Sequence, residues 1–536
     1  MHGNLKSHFS LAGGGNRAFA TSLGALRALQ HLQTEVLETA HSPKYFADSY
    51  GANSGGAWAL AAYFGSKSRA SGRMLFGQYI PPEIITSKTV GKMDALCALN
   101  IPKTHCLSGV LQFICYRVIT CRWRPRISYW TEHIKNALVT RLGLSTLGRL
   151  GIETPVPGEG IVPSPSALYF VATADSVFDD NRGQVVYSIQ RRAGGVTDAV
   201  VETEVFWPGS LEVDYLSTSQ TLEEVLARTS WAPGQLMSGI LTKGPSVLPL
   251  SRLGKALMKQ MTYTDDLRNL MGFGKGGGRT VMVSDGGSLD NIAILPALRQ
   301  IKAGMRRIVA WLCNDAGTLN LGDFLEECEG ESALKAESQE EERALETLMI
   351  EYSRAGKLKG KITNNYAMLF GLTWDGIDGD FTDNQVFRTV DFVQVARGLQ
   401  DAQDSGNGCV GTFDLQTIAN TRWGIPAGKQ VRITFVQVGY TKNWEDIVQR
   451  SLYSEHLGTP ISDRTALQEV VLPIGFDFIR GGPLHKGAHL SCGKQWPAGG
   501  WDWTFGKQMS PSCAALFANL AEWIVRTNFL HFDMST

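Results

Sequence analysis

Much that commonly labels a protein is missing from this chain of 536 residues. Its formal net charge is zero, with 51 basic against 51 acidic residues, so no bulk attraction to nucleic acid is expected. Nine cysteines include no C-x-x-C pair, ten histidines include no H-E-x-x-H, and no Cys/His set has zinc spacing. Neither a disulfide framework nor a metal or other cofactor is therefore implied. No apolar run reaches the about twenty residues needed to cross a bilayer, and no internal repeat is visible. Residues 1–10 are polar and not leader-like, which makes a reducing cytosol the expected compartment. The glycine run at 272–278 precedes a strand-like segment instead of opening a helix, the wrong geometry for a phosphate loop. His485 and His489, in a Gly/Pro stretch, read as incidental.

What the chain does have is concentrated at its start. A short apolar run at 8–12 breaks into Gly13-Gly14-Gly15-Asn16-Arg17. Phe9 and Leu11 alternate as in a strand, and Phe19, Leu23, Leu26 and Leu29 then recur at helical spacing. The glycines thus fall at a strand-to-helix turn, where bare backbone N–H groups and the amino end of a helix suit an oxyanion or a phosphate. Residues 45–50 read as a second strand and 55–64 as a second helix, with Ser54 at the elbow between them. Such a strained turn needs small residues two places either side, and Ala52 and Gly56 supply them, although the usual first glycine is here alanine. Later, the β-branched run at 280–283 ends in Ser284-Asp285-Gly286-Gly287, with Asn291 soon after. The carboxyl end of a buried strand is where open α/β sheets place functional groups.

The G-G-G-x-R loop, the serine in Asn53-Ser54-Gly55-Gly56-Ala57-Trp58 and the D-G-G followed by Asn resemble the cytosolic phospholipase A2 branch of the patatin-like acyl hydrolases. The resemblance implies an α/β fold with a central, mostly parallel sheet flanked by helices and a cap or lid insertion. It implies phospholipase A2 or lysophospholipase-like hydrolysis of glycerophospholipid acyl esters by a Ser/Asp dyad, without histidine or metal. Carried over, Ser54 is the nucleophile, Asp285 its base, Gly14 and Gly15 the oxyanion donors, and Arg17 the contact for a substrate phosphate. The family's calcium-dependent lipid-binding module has no counterpart ahead of residue 9, so calcium is not expected to recruit the protein to lipid. Where the family often has proline two residues after the asparagine of the aspartate motif, this chain has Ala293.

Each piece also has a plainer reading. Arg17 can be a surface residue, Asp285 can cap the following helix, and Asp315, beyond the strand-like run at 306–313, is a rival base. Gly13-x-Gly15-x-x-Ala18 after a strand also fits a dinucleotide fingerprint, with Glu35 or Glu38 at ribose distance. That alternative, an oxidoreductase, leaves Ser54 and Asp285 unexplained. A non-catalytic lipid-binding relative is the other alternative.

Charge is unevenly distributed. Residues 66–126 carry ten Lys/Arg against two Asp/Glu, and residues 323–346 the reverse, ten Asp/Glu against two Lys/Arg. The acidic stretch, Glu326-Glu327 through Glu340-Glu341-Glu342, is expected to be a solvated helix or flexible insertion. Within the basic one, the apolar run at 106–121 followed by Arg122, Arg124 and Arg126 reads either as a lid helix on anionic lipid or as a buried helix of the insertion. Cys106, Cys115 and Cys121 are either acylated or buried and free. Trp496, Trp501 and Trp503 either pack at the core edge or touch lipid. One α/β domain over 1–536, with a cap at 66–165 and the acidic insertion at 323–346, is the expected organisation. Its partner would be phospholipid or lysophospholipid at a membrane surface, with the protein cytoplasmic or peripheral on membranes.

Overall fold

The computed structural model describes residues 6–36, 43–65, 77–85, 128–141, 167–175, 182–191, 199–206, 213–216, 222–230, 263–268, 279–313, 319–330, 338–373, 384–456 and 511–535. Within them the chain is an α/β protein. Five strands run parallel in the order β11 (Gln430–Val438), β9 (Arg307–Cys313), β1 (Ser7–Leu11), β2 (Ser49–Ala52), β3 (Ala167–Asp175). β10 (Cys409–Gln416) closes the β11 edge in antiparallel pairing.

Side chains of the central strands leave the sheet alternately up and down, as strand geometry requires. Val309 and Trp311 of β9 join one apolar layer with helices α1 (Gly15–Val36), α2 (Ser54–Gly65) and, near the carboxyl terminus, a helix over Pro511–Thr527. Ile308, Ala310 and Leu312 join the opposite layer, built on the chain between 292 and 435. With both faces covered, β1 and β9 are buried along their whole length; β9 accordingly reads as a near-continuous apolar run from Ile308 to Cys313, while the polar Ser7, His8 and Ser10 of β1 are met by hydrogen bonds. The expected α1 positions Phe19, Leu23, Leu26 and Leu29 are all in the core.

Beyond β3 the pattern changes. The segment from 167 onward folds as antiparallel neighbours through β4 (Arg182–Arg191), β5 (Ala199–Phe206) and β6 (Val213–Leu216). Six to seven residues separate these strands in the sequence, far fewer than the dozen a parallel crossover needs. β7 (Tyr263–Arg268) and β8 (Arg279–Asp285) continue the series, and β8 pairs back onto β3, closing a ring of six strands.

One expected boundary shifts, and of the two readings of the acidic stretch the helical one holds among the described residues. The strand expected at 45–50 forms over Ser49–Ala52, because the Asp48 carboxylate accepts hydrogen bonds from the Lys6 and Ser7 amides and ends the ladder there. Within the acidic stretch, Gly322–Gly330 and Gln339–Arg354 are helices whose inner faces, including Phe324, Met349 and Tyr352, belong to the core. Their carboxylates occupy the outer faces, and Ser338 with Glu341 forms a capping box at the second helix. Part of the expected cap, residues 77–85, is pinned to the carboxyl-terminal helix by reciprocal bonds between Asn519 and the Ile80 backbone, at 3.0 and 2.7 Å. No helix among the described residues is long and apolar enough to cross a membrane.

The Pro511–Thr527 helix lies along α1 and is locked to it by charge. Buried Glu522 accepts from Arg27 of α1, stands 2.8 Å from His31 Nδ1 and takes a 2.9 Å bond from Arg526. Burial alone would push this carboxyl up, but His31, Arg27 and Arg526 outweigh it and hold it below the usual carboxylate range. A depressed carboxyl stabilises the fold above its unfolded pKa of about 4.3 and loses that contribution as pH falls through the folded value. Glu522→Gln is expected to lower stability at pH 7 by about 3 kcal/mol, with the gap to the wild type shrinking below about pH 4; thermal melts across pH measure both.

Candidate active site

Three segments meet at the carboxyl ends of β1 and β2. The loop after β1 carries Gly13, Gly14 and Gly15, and the last two have positive φ of 141° and 59°. Side-chain-free residues take these angles without the penalty an L side chain meets. α1 starts at Gly15, so its first-turn amides face the loop. Arg17 lies in that first turn and is 3% exposed. Burial at a helix amino end is an unfavourable place for a cation unless it serves an anion or an acidic group, and it removes the surface reading of this residue.

The second segment is the elbow. Ser54 follows β2 directly, opens α2 and has φ of 47°. A left-handed backbone at a non-glycine residue costs about 1–2 kcal/mol and persists only where the surroundings impose it. Here they do so by close contact: a Cβ on Gly55 would stand 2.0 Å from the Gly15 carbonyl oxygen, and one on Gly56 would stand 2.6 Å from that of Leu11. Elbow and glycine loop are therefore packed backbone to backbone. A Cβ on Gly13 would meet Ser54 Cβ at 3.0 Å and Asn291 Oδ1 at 2.5 Å, which puts all three motifs within one small volume.

Asp285 is placed by register. β2 runs along one edge of β3 until Ala52 faces Phe170, and β8 descends the same edge until Asp285 faces Ala172. β4 occupies the other edge of β3 throughout. The tips of β2 and β8 thus approach head-on, about 7 Å apart along β3, and Ser54 lies two residues past the β2 tip. The segment after Asp285 is sewn to both loops: the Asn291 carbonyl accepts from the Gly13 amide at 2.9 Å, and the Asp290 carbonyl accepts from Asn53 Nδ2 at 3.1 Å. Ser10 adds a hydroxyl shared between the Ile292 and Ala293 carbonyls, at 2.6 and 2.8 Å.

Several alternatives are resolved by these positions. Helix capping falls to Asp290, whose carboxylate accepts from the Ile294 and Leu295 amides at 3.1 and 2.9 Å; the turn Gly287–Asp290 has no side-chain cap at Gly286. Glu35, one of the two candidates for a ribose contact, sits near the far end of α1, about 30 Å along the helix from Gly15, where it pairs with Arg526 at 3.1 Å. It does not reach a ligand at the glycine loop. Buried His8 contacts the Ser49 hydroxyl at 2.8 Å, and burial pushes its pKa down to about 3; an imidazole so hard to protonate is a poor proton acceptor near neutral pH. Residues 106–126 and 272–278, Glu38, Asp315, His485, His489, Trp496, Trp501 and Trp503 lie outside the described residues.

The structure adds residues that the motifs did not reveal. Thr229 closes the helix α3 (Leu222–Thr229) and binds Asn53 and Ser54; nothing in its local sequence points to a partner about 175 positions away. Asp290 was more accessible, since an aspartate ahead of a helix with Pro296 in its first turn is a start signal. No protein-family model matches this chain, and comparison with curated protein sequences finds no match.

Ala293 has φ of 53°, and its amide donates to the Asp290 carbonyl at 3.0 Å. Proline is locked near −65° and has no N–H, so this loop cannot take the proline that the resembling family often carries. Ala293→Pro is expected to cost about 3 kcal/mol or more, whereas Ala293→Gly, which relieves the left-handed strain, should stay within about 1 kcal/mol of the wild type. Chemical denaturation of the two variants checks this contrast.

Proposed function

We propose that this chain is an acyl ester hydrolase of the phospholipase A2 or lysophospholipase type, working through a Ser54/Asp285 dyad. The observation that carries this reading is the left-handed Ser54 at a buried strand-to-helix elbow, pressed against a positive-φ glycine loop. Elbows of this kind present a nucleophile beside backbone donors.

In the proposed reaction Ser54 Oγ attacks the ester carbonyl carbon while its proton passes to the Asp285 carboxylate. The negative charge on the tetrahedral oxygen is held by the Gly14 and Gly15 N–H groups at the amino end of α1. Collapse breaks the bond to the leaving alcohol, which takes the proton back from Asp285. Water then attacks the acyl-serine, gives its proton to Asp285 and frees the fatty acid, with Ser54 regaining its hydrogen. Arg17, buried in the first turn of α1, is the group proposed to meet a substrate phosphate. Phospholipid or lysophospholipid at a membrane surface is the proposed substrate, met by a cytoplasmic or peripheral protein whose 66–165 insertion serves as a cap.

A fluorophosphonate probe labels only an activated serine, so labelling of the wild type and its loss in Ser54→Ala is the expected result. Asp285→Asn should retain the fold and lose turnover on lysophospholipid by on the order of a thousandfold, read by mass spectrometry of the products. A wild-type protein that resists the probe and cleaves no lipid of a phospholipid and lysophospholipid panel would leave the non-catalytic lipid-binding reading in its place.

A further inference from the structure

Thr229 is fully buried at the end of α3, remote in sequence from every motif above. Its hydroxyl donates to Asn53 Oδ1 at 3.0 Å and accepts from the Ser54 amide at 3.2 Å. One hydroxyl hydrogen and one oxygen lone pair are thus used in complementary directions. Ser54 is the residue held in a left-handed conformation, and Asn53 also reaches the Asp290 carbonyl of the aspartate segment. A single hydroxyl therefore touches the nucleophile's own backbone and, through one side chain, the segment that carries the base.

We propose that Thr229 is a positioning residue for the hydrolysis: its hydroxyl fixes the Ser54 turn and occupies the Ser54 N–H, so that oxyanion donation falls to the glycine loop. This rests on the hydrolase reading of the preceding subsection. The hold is itself braced from outside. Ser230, the next residue, donates to the Leu226 carbonyl at 2.6 Å and accepts from Trp130 Nε1 at 3.2 Å. Trp130 belongs to the helix Ser128–Ile134 and lies 6.4 Å, centroid to centroid, from Trp58 of α2. The last turn of α3 is consequently clamped between the insertion and the elbow helix, and the Thr229 hydroxyl is preorganised instead of free to rotate away.

Displacing a nucleophile by about 1 Å costs up to roughly a hundredfold in rate, and the loss falls on kcat because substrate contacts are unchanged. Thr229→Val, which keeps the shape and removes the hydroxyl, is expected to lower kcat on a p-nitrophenyl acyl ester roughly tenfold to a hundredfold, with KM within about twofold. Thr229→Ser, which keeps the hydroxyl, should restore kcat to near the wild-type value. In parallel, hydrogen–deuterium exchange of the peptide containing Ser54 should quicken in Thr229→Val and not in Thr229→Ser. If the valine variant does not fold, Thr229→Cys replaces it, the thiol being only a weak partner, with the same split expected.

Wild-type kcat and exchange in the hydroxyl-free variant would overturn the proposal. So would a serine variant as impaired as valine, since the methyl rather than the hydroxyl would then matter. The exchange measurement needs no activity. A wild type that fails to react with fluorophosphonate sinks the hydrolase reading alone, while exchange still decides whether Thr229 holds the turn.

Discussion

Everything at the carboxyl end of this sheet depends on how one buried amide side chain is satisfied. Asn53 has no exposed surface. Its backbone N–H donates to Leu11 of β1, its carbonyl accepts from Gly56 and Ala57 of the elbow helix, its Oδ1 accepts from Thr229, and its Nδ2 donates to Asp290. Four parts of the chain are joined by the donors and acceptors of one residue. An unmet polar group in such a place costs about 1–3 kcal/mol, so each bond is enforced by the penalty for its absence. The left-handed strain at Ser54 is borne by that enforcement.

The same principle orders the surrounding structure. Ser10 ties β1 to the segment after the aspartate, and Asp290 satisfies the first amides of the next helix. The Gly13 amide is likewise taken by the Asn291 carbonyl, and Gly14 and Gly15 follow it with positive φ at the start of α1.

Local chemistry was legible in the sequence, and long-range chemistry was not. A glycine triplet, a serine between small residues and an aspartate after a β-branched run each state a backbone geometry in a handful of letters, and the strands and helices around them fell close to where periodicity put them. Ala293 was visible as a departure, but its meaning came only with its φ. Thr229 gave no signal because its role is defined by Asn53, far away in the chain. The charge lock of Glu522 with Arg27 and His31 was hidden for the same reason: it joins helices nearly 500 positions apart. The acidic stretch was legible as a solvated helix, but not its seat on the core, because net charge dominates composition while a few spaced apolar residues such as Phe324 and Leu345 decide burial. The antiparallel run from β3 to β6 follows from connection length, a quantity no motif states, whereas the return of β8 to β3 is set by long-range pairing.

The head-on meeting of β2 and β8 has a consequence for the order of events during biosynthesis. The glycine loop and Ser54 leave the ribosome about 10–45 s before Asp285, at ordinary elongation rates. Once β3 has emerged, its edge beyond Phe170 stays open until β8 follows. The strand and helix around Ser54 are made early, yet the Thr229 and Asp290 partners of Asn53, and the carboxylate of the proposed dyad, reach them only as those later segments follow and the six-strand ring shuts.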